Sequence, residues 1–146
     1  MATDEALTER QRDNIALARK SFEAWTAGDR NVAISTLADD VELVVPAELG
    51  NPVTAKGIEA FMQWTADWDE AWSRFEMSVK RIEPVGDRHV VLEVGNSGTG
   101  AGSGVEVETT LGWVLGVLED GKCDYMSLQL DFESALAVAR ERDASL

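Results

Sequence analysis

Glu93 and Asp131 are the residues of this sequence best placed for proton transfer, once the strands that carry them are paired. Asp120-Gly121 is a preferred two-residue hairpin signal. If it is the turn, counting back pairs Gly112 with Gln129, Val114 with Ser127 and Gly116 with Tyr125. A similar count across the glycine-rich run before Val105 sets Glu93 beside Gly112, and so close to Gln129. A carboxylate in a mostly apolar cavity has a raised pKa, which makes it a base near neutrality. Tyr125 and Gln129 would then donate hydrogen bonds to a developing oxyanion. Both carboxylates also have plain structural roles open to them: Glu93 a salt bridge to Lys80 on the adjacent strand, and Asp131 the N-cap of a last helix. His89 follows the Gly86-Asp87 turn and is expected at the surface.

Strict alternation along paired strands gives the hairpin two unlike faces. One carries Leu111, Trp113, Leu115 and Val117 with Met126 and Leu128; the other carries Gly112, Val114 and Gly116 with Tyr125, Ser127 and Gln129. Periodicity alone sends the apolar face to the core. A second apolar feature lies on a helix, where Phe61, Trp64, Trp68 and Trp72 share one side. Core packing accounts for such a stripe. Trp64 and Trp68, with Phe22 and Trp25, would equally form a wall for a flat hydrophobic ligand.

The elements that must position these residues follow from local pattern. Glu5 to Ala27 has no proline and repeats Ile15, Ala18, Phe22 and Trp25 at helical spacing; Gly28 ends it, and Asp29 caps a short second helix to about Leu37. Val41 to Pro46 reads as a strand, Asn51-Pro52 to Gly57 as a loop, and Ile58 to Trp72 as a third helix. Four strands follow, Phe75 to Pro84, His89 to about Ser97, Val105 to Leu118 and Cys123 to Leu130, and then a C-terminal helix to about Arg140. The run Gly95 to Gly104 has no helix after it and no Lys-Ser/Thr pair, so it reads as a hairpin end and not a nucleotide loop.

Composition narrows the partners. With 27 acidic and 13 basic residues, the net charge of −14 repels a phosphate backbone, so no nucleic acid is expected. Cys123 is the single cysteine and His89 the single histidine, which leaves no internal disulfide and no His-rich or Cys/His metal site. A reducing cytoplasm fits. No apolar run reaches the ~20 residues that cross a bilayer, and no membrane association is expected.

The order helix, helix, strand, helix and four antiparallel strands resembles the nuclear-transport-factor-2-like superfamily. The residues that carry the resemblance are AWTAGD at Ala24 to Asp29, DDVEL at Asp39 to Leu43, KGIEAF at Lys56 to Phe61, GSGVEVE at Gly102 to Glu108, and LEDGK at Leu118 to Lys122 with Asp131 beyond. The nearest branch is the SnoaL-like, polyketide cyclase-like one, with ketosteroid isomerases more distant. The resemblance implies an α+β fold over residues 1–146: a cone-shaped, strongly bent antiparallel sheet closed by N-terminal helices, a cystatin-like roll, with a short C-terminal helix. It also implies that Asp131 stands at the pocket, which turns the face of Gly112, Val114, Tyr125, Ser127 and Gln129 inward. Trp113, Leu115, Met126 and Leu128 would then need a second subunit to cover them, a homodimer through the sheet face.

Relatives often place large or ionisable side chains where this sequence has Gly112, Val114 and Gly116, and an arginine where it has Tyr125. Small residues there would enlarge a cavity, which Gly112→Phe would fill. Two functions follow. One is binding of a small hydrophobic molecule in the cone without catalysis. The other is a cofactor-free isomerase or cyclase with Asp131 or Glu93 as base.

Overall fold

The computed structural model describes residues 6–49 and 53–146. Its first helix, α1 (Glu9–Thr26), starts at a capping box in which Thr8 and Gln11 satisfy each other's backbone amides. Asp29 caps the short α2 (Arg30–Ser35) by accepting from the Val32 amide at 3.3 Å. Strand β1 (Leu37–Val45) begins four residues before the expected Val41, because the chain leaves α2 directly in extended form. Part of the expected loop is a strand, β2 (Val53–Lys56), paired with β1; Asn51 and Pro52 lie outside the described residues. After α3 (Ile58–Ala71) come β3 (Trp72–Val85), β4 (His89–Gly100), β5 (Glu106–Val117), β6 (Cys123–Gln129) and α4 (Phe132–Ala144).

The six strands form one bent sheet in the order β2-β1-β6-β5-β4-β3. All neighbours are antiparallel except β1 and β6, which run parallel and bring Leu43 beside Met126. The glycine-rich run extends β4 as far as Gly100, and the turn to β5 occupies the residues just beyond. Glu93 does stand opposite Gly112, and Gly112, Val114 and Gly116 do stand opposite Gln129, Ser127 and Tyr125. The turn that sets this register is wider than expected. The Leu118 amide donates to the Lys122 carbonyl, enclosing Glu119, Asp120 and Gly121, and Gly121 takes φ +81°. This is a three-residue loop with a left-handed glycine. A bulge at Asp124 then moves the pairing back by one residue, so the two departures cancel along the rest of the hairpin.

The two faces are as alternation requires, but their destinations are the reverse of what the family resemblance implied. Leu111, Trp113, Leu115, Met126 and Leu128 face inward, in one core with Phe22, Phe61, Leu43 and Leu92. The opposite face, with Val91, Val114 and Tyr125, is covered by α4 through Phe132, Ala135, Leu136 and Ala139. Gly112 lies so close beneath this helix that an added Cβ would meet the Asp131 carbonyl oxygen and Ala135 Cβ. Gly112 therefore admits a helix and does not enlarge a cavity, and an added Cβ at Gly116 would meet Asp124 and Tyr125 on the neighbouring strand. Trp113, Leu115, Met126 and Leu128 are already buried within one chain, so this face needs no second subunit to cover it.

His89 is also not where its turn suggested: it is 2% exposed. The Gly86-Asp87 turn is held by α1, whose Thr8 Oγ1 donates to Asp87 Oδ1 at 2.9 Å and whose Asn14 Nδ2 donates to the Asp87 carbonyl at 2.8 Å. The end of α4 closes over the ring. Arg142 Nε donates to His89 Nε2 at 3.3 Å, its guanidinium lies 3.5 Å from the centre of the Tyr125 ring, and Asp143 Oδ1 is 3.5 Å from His89 Nδ1. Burial lowers the His89 pKa below its ordinary value; Arg142 and Arg88 add to this, and Asp143 opposes it.

Two outcomes test this arrangement. Gly112→Ala, read by urea unfolding, is expected to cost about 1–3 kcal/mol because the Asp131 backbone must move, and Gly112→Phe to dislodge α4 altogether. For His89, the folded chain keeps the ring neutral while the unfolded chain protonates it, so stability is full above the unfolded pKa of about 6.5 and falls below it. Melting temperature should decline as pH drops from about 6.5 toward the lowered folded value, and His89→Asn should remove that part of the decline.

Candidate functional site

A cavity lies between the inner face of the sheet and α1, α2 and α3, where the bend of the sheet separates it from the helices. Phe22, Trp25, Trp64 and Trp68 line it, as their helical spacing suggested, together with Phe61. The opposite wall is Trp113, Leu111, Met126 and Leu128, with Met77 at the side. The Phe22 and Trp113 rings meet edge to face at 5.7 Å, and Trp25 meets Phe61 in the same way at 6.4 Å. The cavity has a volume of about 50 Å³. That holds a few waters, so a ring-bearing molecule must turn aside the half-buried Trp64 or Trp68 that line it.

Polar groups in this wall are few. Asn96 is 8% exposed, and its Nδ2 donates to the Val94 carbonyl at 3.0 Å. Ser21 Oγ accepts from Thr36 Oγ1 at 3.4 Å. Trp113 Nε1 is a buried donor with no acceptor. None of the described residues that line the cavity is an acid, a base, a cysteine or a tyrosine. Among the described residues no three His, Cys, Asp or Glu side chains gather as metal ligands would. Sequence periodicity contained the signal for Trp113, Leu111, Met126 and Leu128, since they form the more apolar hairpin face. Asn96 carried no such signal, because it falls inside the glycine-rich run.

The expected catalytic residues are elsewhere. Asp131 caps α4: its Oδ1 accepts from the Ser134 amide at 2.7 Å, and this bond, with one to the Ser134 side chain, lowers its pKa below the usual carboxylate value. Such a carboxylate is a weaker base, and it sits on the α4 side of the sheet. Glu93 is on that side too, because it alternates with the core residues Leu92 and Val94. Its cross-strand neighbour is Arg81, and Lys80 reaches Thr110 Oγ1 at 3.4 Å instead. Gly112, Val114, Tyr125, Ser127 and Gln129 share the covered face, where Gln129 Nε2 donates to Ser127 Oγ at 3.3 Å. The structure therefore brings the helix aromatics to the cavity and keeps the expected sheet residues out of it. Burial also pushes the Cys123 thiol up to about 12, which removes it as a nucleophile. No described helix is long and apolar enough to cross a membrane.

Solved structures of the same architecture are numerous. One described as a SnoaL-like polyketide cyclase, from Jannaschia sp. CCS1, superposes with a TM-score of 0.75 at 21% identity, covering 95% of this chain and 98% of the other. An NTF2-like protein of unknown function from Burkholderia pseudomallei K96243 gives 0.72 at 17% identity, over 87% and 97%. RV0760c from Mycobacterium tuberculosis, solved in complex with estradiol-17beta-hemisuccinate, gives 0.69 at 16%, over 83% and 95%. Among curated proteins none matches the chain. Residues 18–126, from the middle of α1 to β6, match the SnoaL-like domain, and this chain belongs to that family.

Proposed function

We propose that this protein binds a small, flat, uncharged hydrophobic molecule in the cone and does no chemistry on it. One observation carries the reading: the cavity is walled by aromatic and aliphatic side chains with isolated hydrogen-bonding groups, and none of its described lining residues can take or give a proton at neutral pH. An isomerase or cyclase needs a base within hydrogen-bond reach of the substrate. Asp131 and Glu93 are separated from the cavity by the sheet itself. That RV0760c holds a steroid derivative agrees with the use of such a cone for a flat apolar ligand. The free, buried Cys123 fits a cytoplasmic setting.

Acetophenone, one ring bearing one carbonyl oxygen, is a suitable probe. It is expected to bind with an affinity constant between about pH 5.5 and about pH 9, because no lining group titrates there. Asp131→Asn and Glu93→Gln should leave that affinity within about twofold, whereas Ala33→Leu, which fills the cavity, should weaken it by about tenfold or more. Turnover of an α-proton-bearing ketone that is lost in Glu93→Gln or Asp131→Asn would overturn the reading.

A further inference from the structure

Beyond Trp68 the structure contains a second apolar cavity of about 40 Å³, which ends against Trp72, Phe75 and Val107. It shares three residues with the first: Trp68, Asn96 and Leu111. We propose that the two are compartments of one site, that Trp68 is the movable partition between them, and that the site takes an elongated molecule with two flat apolar halves joined at a carbonyl-type oxygen. The inference rests on the binding function above and specifies its ligand.

Of the three shared residues only Trp68 is free to move. Asn96 and Leu111 stand on β4 and β5, which are paired along their whole length, and both are buried. Trp68 is half-buried on the outer reach of α3, and three rings pack against its indole: Trp64 at 5.5 Å, Trp72 at 5.8 Å and Phe75 at 5.3 Å. A turn about its side-chain bonds exchanges these ring contacts for contacts with a ligand ring of the same kind, so the exchange is nearly balanced.

The shared hydrogen-bonding group specifies the ligand's polar atom. Asn96, between the compartments, uses one amide hydrogen on the Val94 carbonyl, which leaves the second for a ligand. Asn96 is the polar one of the three shared residues, so the ligand atom that meets its remaining amide hydrogen is an acceptor: a ketone or quinone oxygen at the centre, with none of the charge that a carboxylate would bring into this apolar wall.

Benzophenone and acetophenone share the carbonyl and differ by one ring, so their affinity ratio reads the second compartment. Trp68→Ala should raise the preference for benzophenone by about tenfold, with Trp68→Leu shifting it in the same direction, each variant first shown to be folded by its circular dichroism melt. Asn96→Leu should weaken benzophenone by about tenfold while diphenylmethane, which lacks the oxygen, changes by less than about twofold. If acetophenone binds and the ratio is the same in wild type and both Trp68 variants, the partition is refuted and the binding function stands. If neither ketone binds wild type, both are refuted.

Discussion

The approach of α4 to β5 at Gly112 is the contact on which the rest of the arrangement depends. With no Cβ on Gly112, the Asp131 carbonyl and the Ala135 methyl can rest on the strand backbone, and the helix then lies flat over Val91, Val114 and Tyr125. Asp131 is committed to this task by its bond to the Ser134 amide. At the far end Arg142 and Asp143 close over His89. The part of the outer face that carries Val91, Val114 and Tyr125 is thereby occupied by the chain's own C-terminal helix, and the part that carries Ser78, Gly95 and Thr110 is left open.

On the inner face, the residues that alternation puts against the helices are Leu111, Trp113, Met126 and Leu128, and they wall the apolar cavity. The open part of the outer face carries a separate, polar hollow of about 470 Å³ lined by Glu76, Lys80 and Glu108 among others. The carboxylates of the outer face cannot reach through a sheet, and α1, α2 and α3 contribute rings and methyl groups to the cavity. Its chemistry is consequently that of desolvation and shape, with Asn96, Ser21 and the Trp113 indole as the polar exceptions.

The aromatic ladder is continuous with that cavity. From Trp25 through Phe61, Trp64, Trp68 and Trp72 to Phe75, successive ring centres are 5.4–6.4 Å apart. These contacts explain how α3, whose N-cap Gly57 supplies no side-chain bond, is nevertheless fixed over the sheet. They also leave the cavity with walls that can rearrange, since ring-on-ring contacts in tilted geometry are close in energy.

The sequence alone determined what short-range rules govern. Helical spacing in Phe22, Trp25, Trp64 and Trp68 marked the residues of the helical wall, and the motif order marked the family. The hairpin register came out right along Gly112–Gln129 even though the turn at Asp120-Gly121 is a residue wider than its dipeptide suggests, because the Asp124 bulge compensates. What alternation cannot determine is which face is inside. Period-two patterning separates Trp113 from Gly112, but both faces of this hairpin are buried, one by α1, α2 and α3 and the other by α4, so polarity does not distinguish them. That choice belongs to the tertiary structure. It was made by the close fit of α4 to the glycine of β5, a contact between segments whose complementarity is one of volume, and volume complementarity leaves no periodic trace in a sequence.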